Sequence, residues 1–319
     1  MTLVSHPHSH GSDHYNKAIF LKRDNRSLGT KAAQYVIAKI ISGVLASLRL
    51  VPYKQRVALG GAFFQYVVSP VSNNKARILE NIDHVVPELD PVARASLIGG
   101  VPDNIGRTLT ELFFPDGFLK VIDNCPLKGD GYQAFKTARA HGQPVILAAA
   151  HIGNYDAIRG KLVLEGHSIC SLYKPMKNSY FDRQYVDTIS RIGFPLFPND
   201  ANGMSQMIKA LRRGKTIALM MDQAMSTGVK IPFMGRMCNT PVSAAKMAIK
   251  HNALLIPCFA HRNDDGITHT GVMEAPIDHT DPITMTRQLN DLLEKHVRAH
   301  MHQWLWTHRR WKGYYGLDE

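Results

Sequence analysis

The sequence has few cysteines, and their spacing does not suit a covalent or metal-bound framework. Only four occur in 319 residues, Cys125, Cys170, Cys238 and Cys258, and no two form a Cys-x-x-Cys pair. This scatter argues against a disulfide scaffold and a cysteine-ligated metal site, and it predicts reduced, partly buried thiols of the kind found in the cytosol. A Gly-x-Ser-x-Gly segment is also missing, which argues against a hydrolase with a nucleophile elbow.

No secretory signal is evident at the start of the sequence. Its first thirty residues contain no apolar segment of a secretory signal and carry His6, His8, His10 and His14 among polar residues. This composition predicts a disordered tail over residues 1–30. Binding of a transition metal by the alternating histidines stays open as an alternative.

Acidic residues are scarce relative to basic ones. The chain has 26 Asp and Glu against 38 Lys and Arg, a formal charge of +12 and a pI near 9.5. Such an excess predicts anionic partners, which include lipid headgroups, phosphorylated sugars and acidic proteins. No RNP aromatic pair or zinc-finger spacing is present, so we expect no nucleic-acid partner.

Residues 32–51 form an amphipathic helical pattern near the start of the chain. The apolar positions recur at helical spacing and are Val36, Ile37, Ile40, Ile41, Val44, Leu45 and Leu48. Lys39 and Arg49 leave only nine residues between them, fewer than the roughly 20 that a spanning helix requires. We therefore expect a helix that lies in a membrane interface, with packing against the protein's own core as an equal alternative.

The order of the remaining elements predicts an α/β fold. Helical patterns at 74–84 and 91–114 are followed, after Cys125, by short apolar strands that alternate with amphipathic helices. This alternation predicts a mostly parallel central sheet covered by helices. We expect membrane-associated helices over 31–125 and the α/β core over 126–319, with 31–319 as one compact unit.

His151 and Asp156 stand where a buried strand, residues 145–150, turns into a helix. Reactive groups gather at the carboxyl ends of parallel strands. If His151 lies in the turn and Asp156 in the first helical turn, the carboxylate can fold back onto one ring nitrogen and leave the other to take a proton. Asn154 suits the N-cap of the following helix. The alternative is a loop histidine beside an aspartate that interacts only with the helix dipole.

His151 and Asp156, in His-x4-Asp order, resemble the catalytic motif of the glycerolipid acyltransferase superfamily. Further segments resemble the bacterial lipid A biosynthesis acyltransferases that add lauroyl or myristoyl chains. They are Asn81 and residues 104–111, 173–178, 221–223, 231–236, 240–241 and 303–311. The matches keep the family's order and extend from Lys75 to Lys312. One departure is Lys174, where the family often has an arginine that grips phosphate with two hydrogen bonds.

The resemblance implies an acyltransferase at the cytoplasmic face of the bacterial inner membrane, held at its surface or by a single N-terminal anchor. The donor would be a thioester of acyl carrier protein, or of coenzyme A, and the acceptor a hydroxyl of an anionic lipid A precursor. His151 would be the general base and Asp156 would orient it, without a metal or other cofactor. The alternatives are another glycolipid or lysophospholipid as acceptor and, from a different class, a non-catalytic basic protein that binds membranes.

The resemblance also implies substrate contacts, each with a simpler structural alternative. The candidates are Asn154, Lys174, Asp222, Gln223, Arg236, Arg309 and Arg310. The basic side chains would bind phosphate, although Arg236 can stand in a simple tight turn and Arg309 and Arg310 at a solvated helix end. Asp222 and Gln223 end a strand on the edge that holds His151 if the strands are parallel, or Asp222 only caps the next segment.

Two further side-chain groups leave a choice between function and packing. Trp304, Trp306 and Trp311 are interleaved with basic residues, which suits a membrane interface, although Trp304 fits the core better. Arg107 and Glu111 are four residues apart and predict a surface ion pair.

Overall fold

A seven-stranded sheet forms the centre of the computed structural model, which describes residues 27–312. The strands are β1 (Leu127–Lys128), β2 (Val145–Ala149), β3 (Ile169–Tyr173), β4 (Leu196–Pro198), β5 (Thr216–Met220), β8 (Leu254–Arg262) and β9 (His269–Met273). A separate hairpin consists of β6 (Val229–Phe233) and β7 (Arg236–Thr240). The order in the sheet is β1-β9-β8-β2-β5-β3-β4, and among its neighbouring pairs only β8 and β9 are antiparallel. The predicted mostly parallel α/β fold is confirmed.

Helices cover both faces of this sheet. They are α1 (Leu28–Leu48), α2 (Tyr53–Phe63), α3 (Asn74–Val85), α4 (Pro91–Phe113), α5 (Pro115–Ile122), α6 (Asp130–Ala140), α7 (Asp156–Leu164), α8 (Ser179–Ser190), α9 (Ala201–Arg212), α10 (Ser243–His251) and α11 (Pro282–Ala299). Successive side chains of β2 enter different cores: Val145 and Leu147 enter one, and Ile146 and Ala148 the other. A strand buried on both faces must be apolar throughout, which explains the continuous apolar run before His151.

Helix α1 carries its apolar stripe on the outside of the protein. The side chains of Val36, Ile37, Ile40 and Val44 are between 51% and 62% exposed. Among the described residues, α1 is the helix that is long and apolar enough, over Gly29–Leu48, to cross a membrane. The predicted helix is confirmed, and the alternative that this stripe packs on the protein's own core is wrong for these four side chains.

The hairpin β6–β7 was not predicted from the sequence. Met234 and Gly235 both have positive φ, 49° and 73°, which is the backbone of a tight two-residue hairpin turn. The expected turn before Arg236 is therefore present, but it joins two strands. Pro232 within β6 weakened the strand pattern, and an edge strand tolerates such a proline.

Buried side chains settle two of the open alternatives. The three tryptophans are at most 1% exposed, so they belong to the core and the membrane-interface interpretation is wrong. All four cysteines are buried free thiols, as expected. The histidine-rich segment of residues 1–26 lies outside the described residues.

Candidate active site

His151 and Asp222 lie side by side at the carboxyl edge of the sheet. His151 follows β2 and Asp222 follows β5, and these two strands are parallel neighbours in which Ala149 pairs with Met220. His151 and Asp222 each stand two residues beyond that pair, so their side chains leave the sheet at the same level along the strands. This edge is where an open parallel sheet places its reactive groups.

The Asp222 carboxylate holds His151 through both of its oxygens. The Nδ1 of His151 is 2.8 Å from Oδ1, and the backbone N–H of His151 donates to Oδ2 at 2.8 Å. The indole Nε1 of Trp304 donates to the same Oδ2 at 3.0 Å. Burial would raise the pKa of the Asp222 carboxyl, but the charge of His151 and these hydrogen bonds outweigh it and lower the pKa to about 2.

The two side chains differ in access to solvent. The imidazole of His151 is 21% exposed, whereas Asp222 is only 2% exposed. The His151 ring also meets the ring of Tyr155 edge-on at 5.1 Å between centroids. The ring is therefore fixed at Nδ1 by a buried carboxylate and remains accessible from outside. This is the arrangement of a base that a second residue orients.

Asp156 does not make the contact that its spacing suggested. Its Oδ1 accepts from Nε of Arg159 at 2.7 Å, and Nη1 of Arg159 donates to the carbonyl of Gly193 at 2.9 Å. The prediction that Asp156 folds back onto His151 is wrong in its geometry. Asp156 stands at the first position of α7, where its side chain binds Arg159 in the next helical turn, and Arg159 in turn joins α7 to the segment before β4.

Gly153 allows the loop between His151 and Asp156 to pass close to β8. Its φ is +55°, and a Cβ atom there would lie 2.0 Å from the carbonyl oxygen of Ala260. The Gly153 N–H donates to Gln303 O at 3.1 Å, and its own carbonyl accepts from Asn104 and Thr108 on α4. A side chain at this position would displace the loop that carries His151.

A fully buried ion pair supports the same loop. Glu111 and Arg262 form a two-pronged contact, with Nη2 of Arg262 2.8 Å from Oε2 of Glu111. Asn154 Nδ2 donates to the same Oε2 at 2.8 Å. Burial would raise the pKa of Glu111, but Arg262 and His269 lower it below its ordinary value. The carboxylate therefore stays ionised and anchors Asn154.

Two predictions about these residues are corrected by the network. Asn154 is fully buried and braces the loop, so it does not face a ligand. Arg107 pairs with Asp103 at 2.6 Å instead of with Glu111. Asn104, Thr108 and Glu111 occur at helical spacing within α4, and this was the signal that could have identified them as one inward face.

The predicted phosphate-binding residues fall into exposed and buried sets. Lys174, directly after β3, and Gln223, directly after Asp222, are exposed. Arg236 is exposed at the hairpin corner, where its Nε donates to the carbonyl of His84 at 3.1 Å. Arg309 is half-buried, and its buried Nε has no hydrogen-bond partner among the described residues. These four can meet a ligand.

Arg310 cannot meet one in this structure. It is fully buried, and it donates to the carbonyl of Asn239 at 3.0 Å and to Oγ1 of Thr240 at 2.8 Å. The prediction that Arg310 contacts substrate is therefore wrong. Arg310 instead fastens the C-terminal segment to β7. The pattern of two adjacent arginines could not separate the buried one from the other.

Two residues contact the site although the sequence did not predict that they would. Trp304 donates to Asp222, as described above, and His308 accepts a hydrogen bond on Nε2 from the backbone N–H of Ala224 at 3.1 Å. Burial lowers the pKa of His308. Asn81 donates to the carbonyls of Trp306 and His308 at 2.7 and 2.9 Å and holds this segment against the site.

Comparison with known proteins gives a consistent match along nearly the whole chain. The family model for bacterial lipid A biosynthesis acyltransferases matches residues 24–313. A phosphatidylinositol mannoside acyltransferase of Mycobacterium tuberculosis is 25% identical over 306 residues, which cover 92% of this chain and 94% of that protein. A lipid A biosynthesis acyltransferase of Haemophilus influenzae is 24% identical, with coverages of 88% and 92%. A lipid A biosynthesis lauroyltransferase of Escherichia coli is 22% identical, with coverages of 85% and 89%.

Proposed function

Because the chain belongs to the bacterial lipid A biosynthesis acyltransferase family, we propose that it moves a fatty acyl chain from an acyl carrier protein thioester to a hydroxyl of a lipid A precursor. The observation that carries this proposal is the His151–Asp222 pair at the sheet edge. A thioester is already an activated acyl donor. The residues therefore need only to activate the acceptor hydroxyl and stabilise the charge that develops.

The proposed reaction uses His151 as the general base. Its Nε2 takes the proton of the acceptor hydroxyl while the oxygen attacks the thioester carbonyl. The tetrahedral intermediate then expels the thiolate, which receives the same proton from the imidazolium, so that an ester and a free thiol result. Proton transfer of this kind contributes about 10²–10⁴-fold.

Asp222 is the proposed orienting residue. With Nδ1–H donated to Asp222, the neutral imidazole carries its lone pair on Nε2, where the acceptor approaches. The carboxylate also stabilises the imidazolium while it exists. Asp156, in this proposal, acts indirectly, since it holds Arg159 and the first turn of α7 in place.

The proposed acceptor contacts are the cationic side chains that the fold leaves accessible. They are Lys174, Arg236 and Arg309, with Gln223 beside the catalytic pair. Arginine can bind a phosphate through two parallel hydrogen bonds, whereas Lys174 offers a point charge. The excess of basic residues in the whole chain would also steer an acidic carrier protein towards the enzyme.

The proposed location is the cytoplasmic face of the inner membrane. The exposed apolar stripe of α1 supports membrane attachment, because side chains of this kind partition into the boundary between headgroups and acyl chains.

Replacement of Val36 and Ile40 by Gln should release the protein from vesicles. The control replaces Val92 and Ile283, which are also more than half exposed but lie on other helices, and should leave attachment unchanged.

The decisive experiment compares wild type with His151→Ala in an assay with purified acyl carrier protein thioester and lipid A precursor. We expect loss of transfer with an unchanged thermal unfolding curve and unchanged vesicle binding. Near-normal turnover in the variant would refute the assignment of His151 as the base, whereas no transfer by the wild type would favour a non-catalytic membrane-binding protein. Equal rates with acyl coenzyme A and the carrier thioester would refute only the dependence on acyl carrier protein. The assignment of His151 would stand.

A second acceptor is favoured by one observation, the similarity to the phosphatidylinositol mannoside acyltransferase, which is as high as that to the lipid A enzymes. The same catalytic pair could acylate a different glycolipid. Mass analysis of lipids from cells with and without the protein separates the two. Loss of one acyl chain from lipid A supports the first acceptor, and an unchanged lipid A beside an altered glycolipid supports the second.

A further inference from the structure

A groove of about 420 Å³ lies between α1 and α8. It is lined on the α1 side by Tyr35, Ala38, Lys39, Ser42 and Arg49, and on the α8 side by Tyr180, Arg183, Gln184, Asp187, Thr188 and Arg191. The catalytic pair, by contrast, comes from the ends of β2 and β5. The groove is therefore a feature separate from the site described above.

The groove is built from ordered polar contacts and carries mainly positive charge. Lys39 and Arg49 on one wall face Arg183 and Arg191 on the other, and one lining residue, Asp187, is acidic. Arg191 also pairs with Asp116 outside the groove. Even with these two carboxylates, cations dominate the lining, so an anionic group would be attracted to it.

Direct contacts between the two helices hold the groove in shape. Oγ of Ser42 donates to Oε1 of Gln184 at 2.6 Å, and the ring of Tyr35 meets that of Tyr180 at 5.5 Å between centroids. Nζ of Lys39 lies 5.4 Å from the centre of the Tyr35 ring. This cation therefore has an aromatic neighbour within cation–π distance.

The apolar stripe of α1 stands opposite the groove on the helix surface. At about 100° per residue, the groove residues of α1 centre on one direction, and Val36, Ile37, Ile40 and Val44 centre roughly 180° away. When the apolar face of a helix enters the acyl region, its opposite face lies about 10 Å farther from the centre of the bilayer. That height lies at the headgroup layer of the same leaflet.

We propose that this groove binds the phosphate of an anionic phospholipid headgroup in the bilayer that receives α1. The four cationic side chains outnumber the two carboxylates and attract the phosphate, and Tyr35 and Tyr180 offer hydroxyl groups to the rest of the headgroup. The bound lipid would fix the rotation of α1 about its axis. The assignment does not depend on the acyl-transfer reaction.

The test measures binding of the full chain to sedimented vesicles of phosphatidylcholine with and without phosphatidylglycerol. The variant is Lys39→Gln with Arg183→Gln, and the matched control is Lys246→Gln with Lys250→Gln, which removes two exposed charges from α10. Each basic residue near an anionic surface contributes about fivefold to binding, so the groove variant should lose about thirtyfold on the anionic vesicles. The control should lose far less, and pure phosphatidylcholine should show no difference between the two.

Two further arms make the assignment specific to a lipid. The charge-preserving variant Lys39→Arg with Arg183→Lys should bind anionic vesicles to within a few-fold of wild type. Inorganic phosphate, added at increasing concentration to the protein without vesicles, should bind too weakly to saturate. Equal losses in the groove variant and the α10 control would overturn the proposal. Saturating phosphate binding, with vesicle binding unaffected by the groove variant, would overturn it as well.

Discussion

His151 and Asp222 are 71 residues apart, the same offset that separates every paired residue of β2 and β5. The proposed catalytic pair therefore continues the register of two parallel strands beyond their last backbone pair. This relationship makes the distance of 2.8 Å between Nδ1 and Oδ1 a consequence of sheet geometry. The carboxylate that supports the histidine is thus set by the neighbouring strand.

Replacement of Asp222 by Asn should lower kcat by about 10²–10⁴-fold, with the KM for the acceptor almost unchanged. The amide can still bond to Nδ1, but it removes the charge that stabilises the imidazolium and no longer fixes the tautomer. Steady-state kinetics with Asp156→Asn as the comparison should show a much smaller fall. A fall of equal depth in a well-folded Asp156→Asn variant would restore Asp156 as the direct partner.

Gly153→Ala should cost both stability and turnover. The added Cβ would meet the carbonyl of Ala260 at 2.0 Å, so the loop that carries His151 must move. Gly142→Ala is the matched control, because Gly142 also has positive φ, +70°, but nothing lies within 4 Å of its added Cβ. For the control, we expect denaturant melts to show a loss of roughly 1 kcal/mol in the free energy of unfolding. Kinetic assays should show a normal kcat for the control. Equal behaviour of the two variants would show that the close approach is unimportant.

Glu111→Gln should reduce the free energy of unfolding by about 3–5 kcal/mol, because it leaves the buried Arg262 guanidinium without its anion. Both side chains are at most 5% exposed. The control Arg94→Gln breaks a surface pair with Asp83, whose side chain is 57% exposed, and should cost at most about 1 kcal/mol. Urea titration measures both, and a loss below that of the control would show that the network is not stabilising.

The buried His269 should make the protein less stable in acid. Burial lowers its pKa from 6.5 to about 4, so the unfolded chain takes up a proton on this group at a higher pH than the native state does. Stability therefore falls as pH drops through this interval, by on the order of 3 kcal/mol. Between about pH 7 and pH 4, the His269→Leu variant should therefore lose that much less free energy of unfolding than the wild type. Parallel curves of unfolding free energy against pH for the two proteins would contradict the prediction.

Local patterns in the sequence determined much of this protein. The apolar run before His151, the helical spacing of the α1 stripe and the Asp90-Pro91 start of α4 each depend on neighbouring residues alone. Strand, helix and turn follow from such patterns, because backbone conformation depends on nearby side chains. The position of His151 at a strand end, where it becomes accessible, was predictable for the same reason.

Only the tertiary structure decided which groups meet. Asp156 was the nearer carboxylate along the chain, but Asp222 became the partner of His151 because β5 lies beside β2, and strand order depends on long crossover connections. The outward direction of the α1 stripe and the burial of Arg310 likewise depend on what packs around them. Sequence periodicity identifies the apolar or charged face of an element, whereas the partner of that face is set by contacts between residues far apart in the chain.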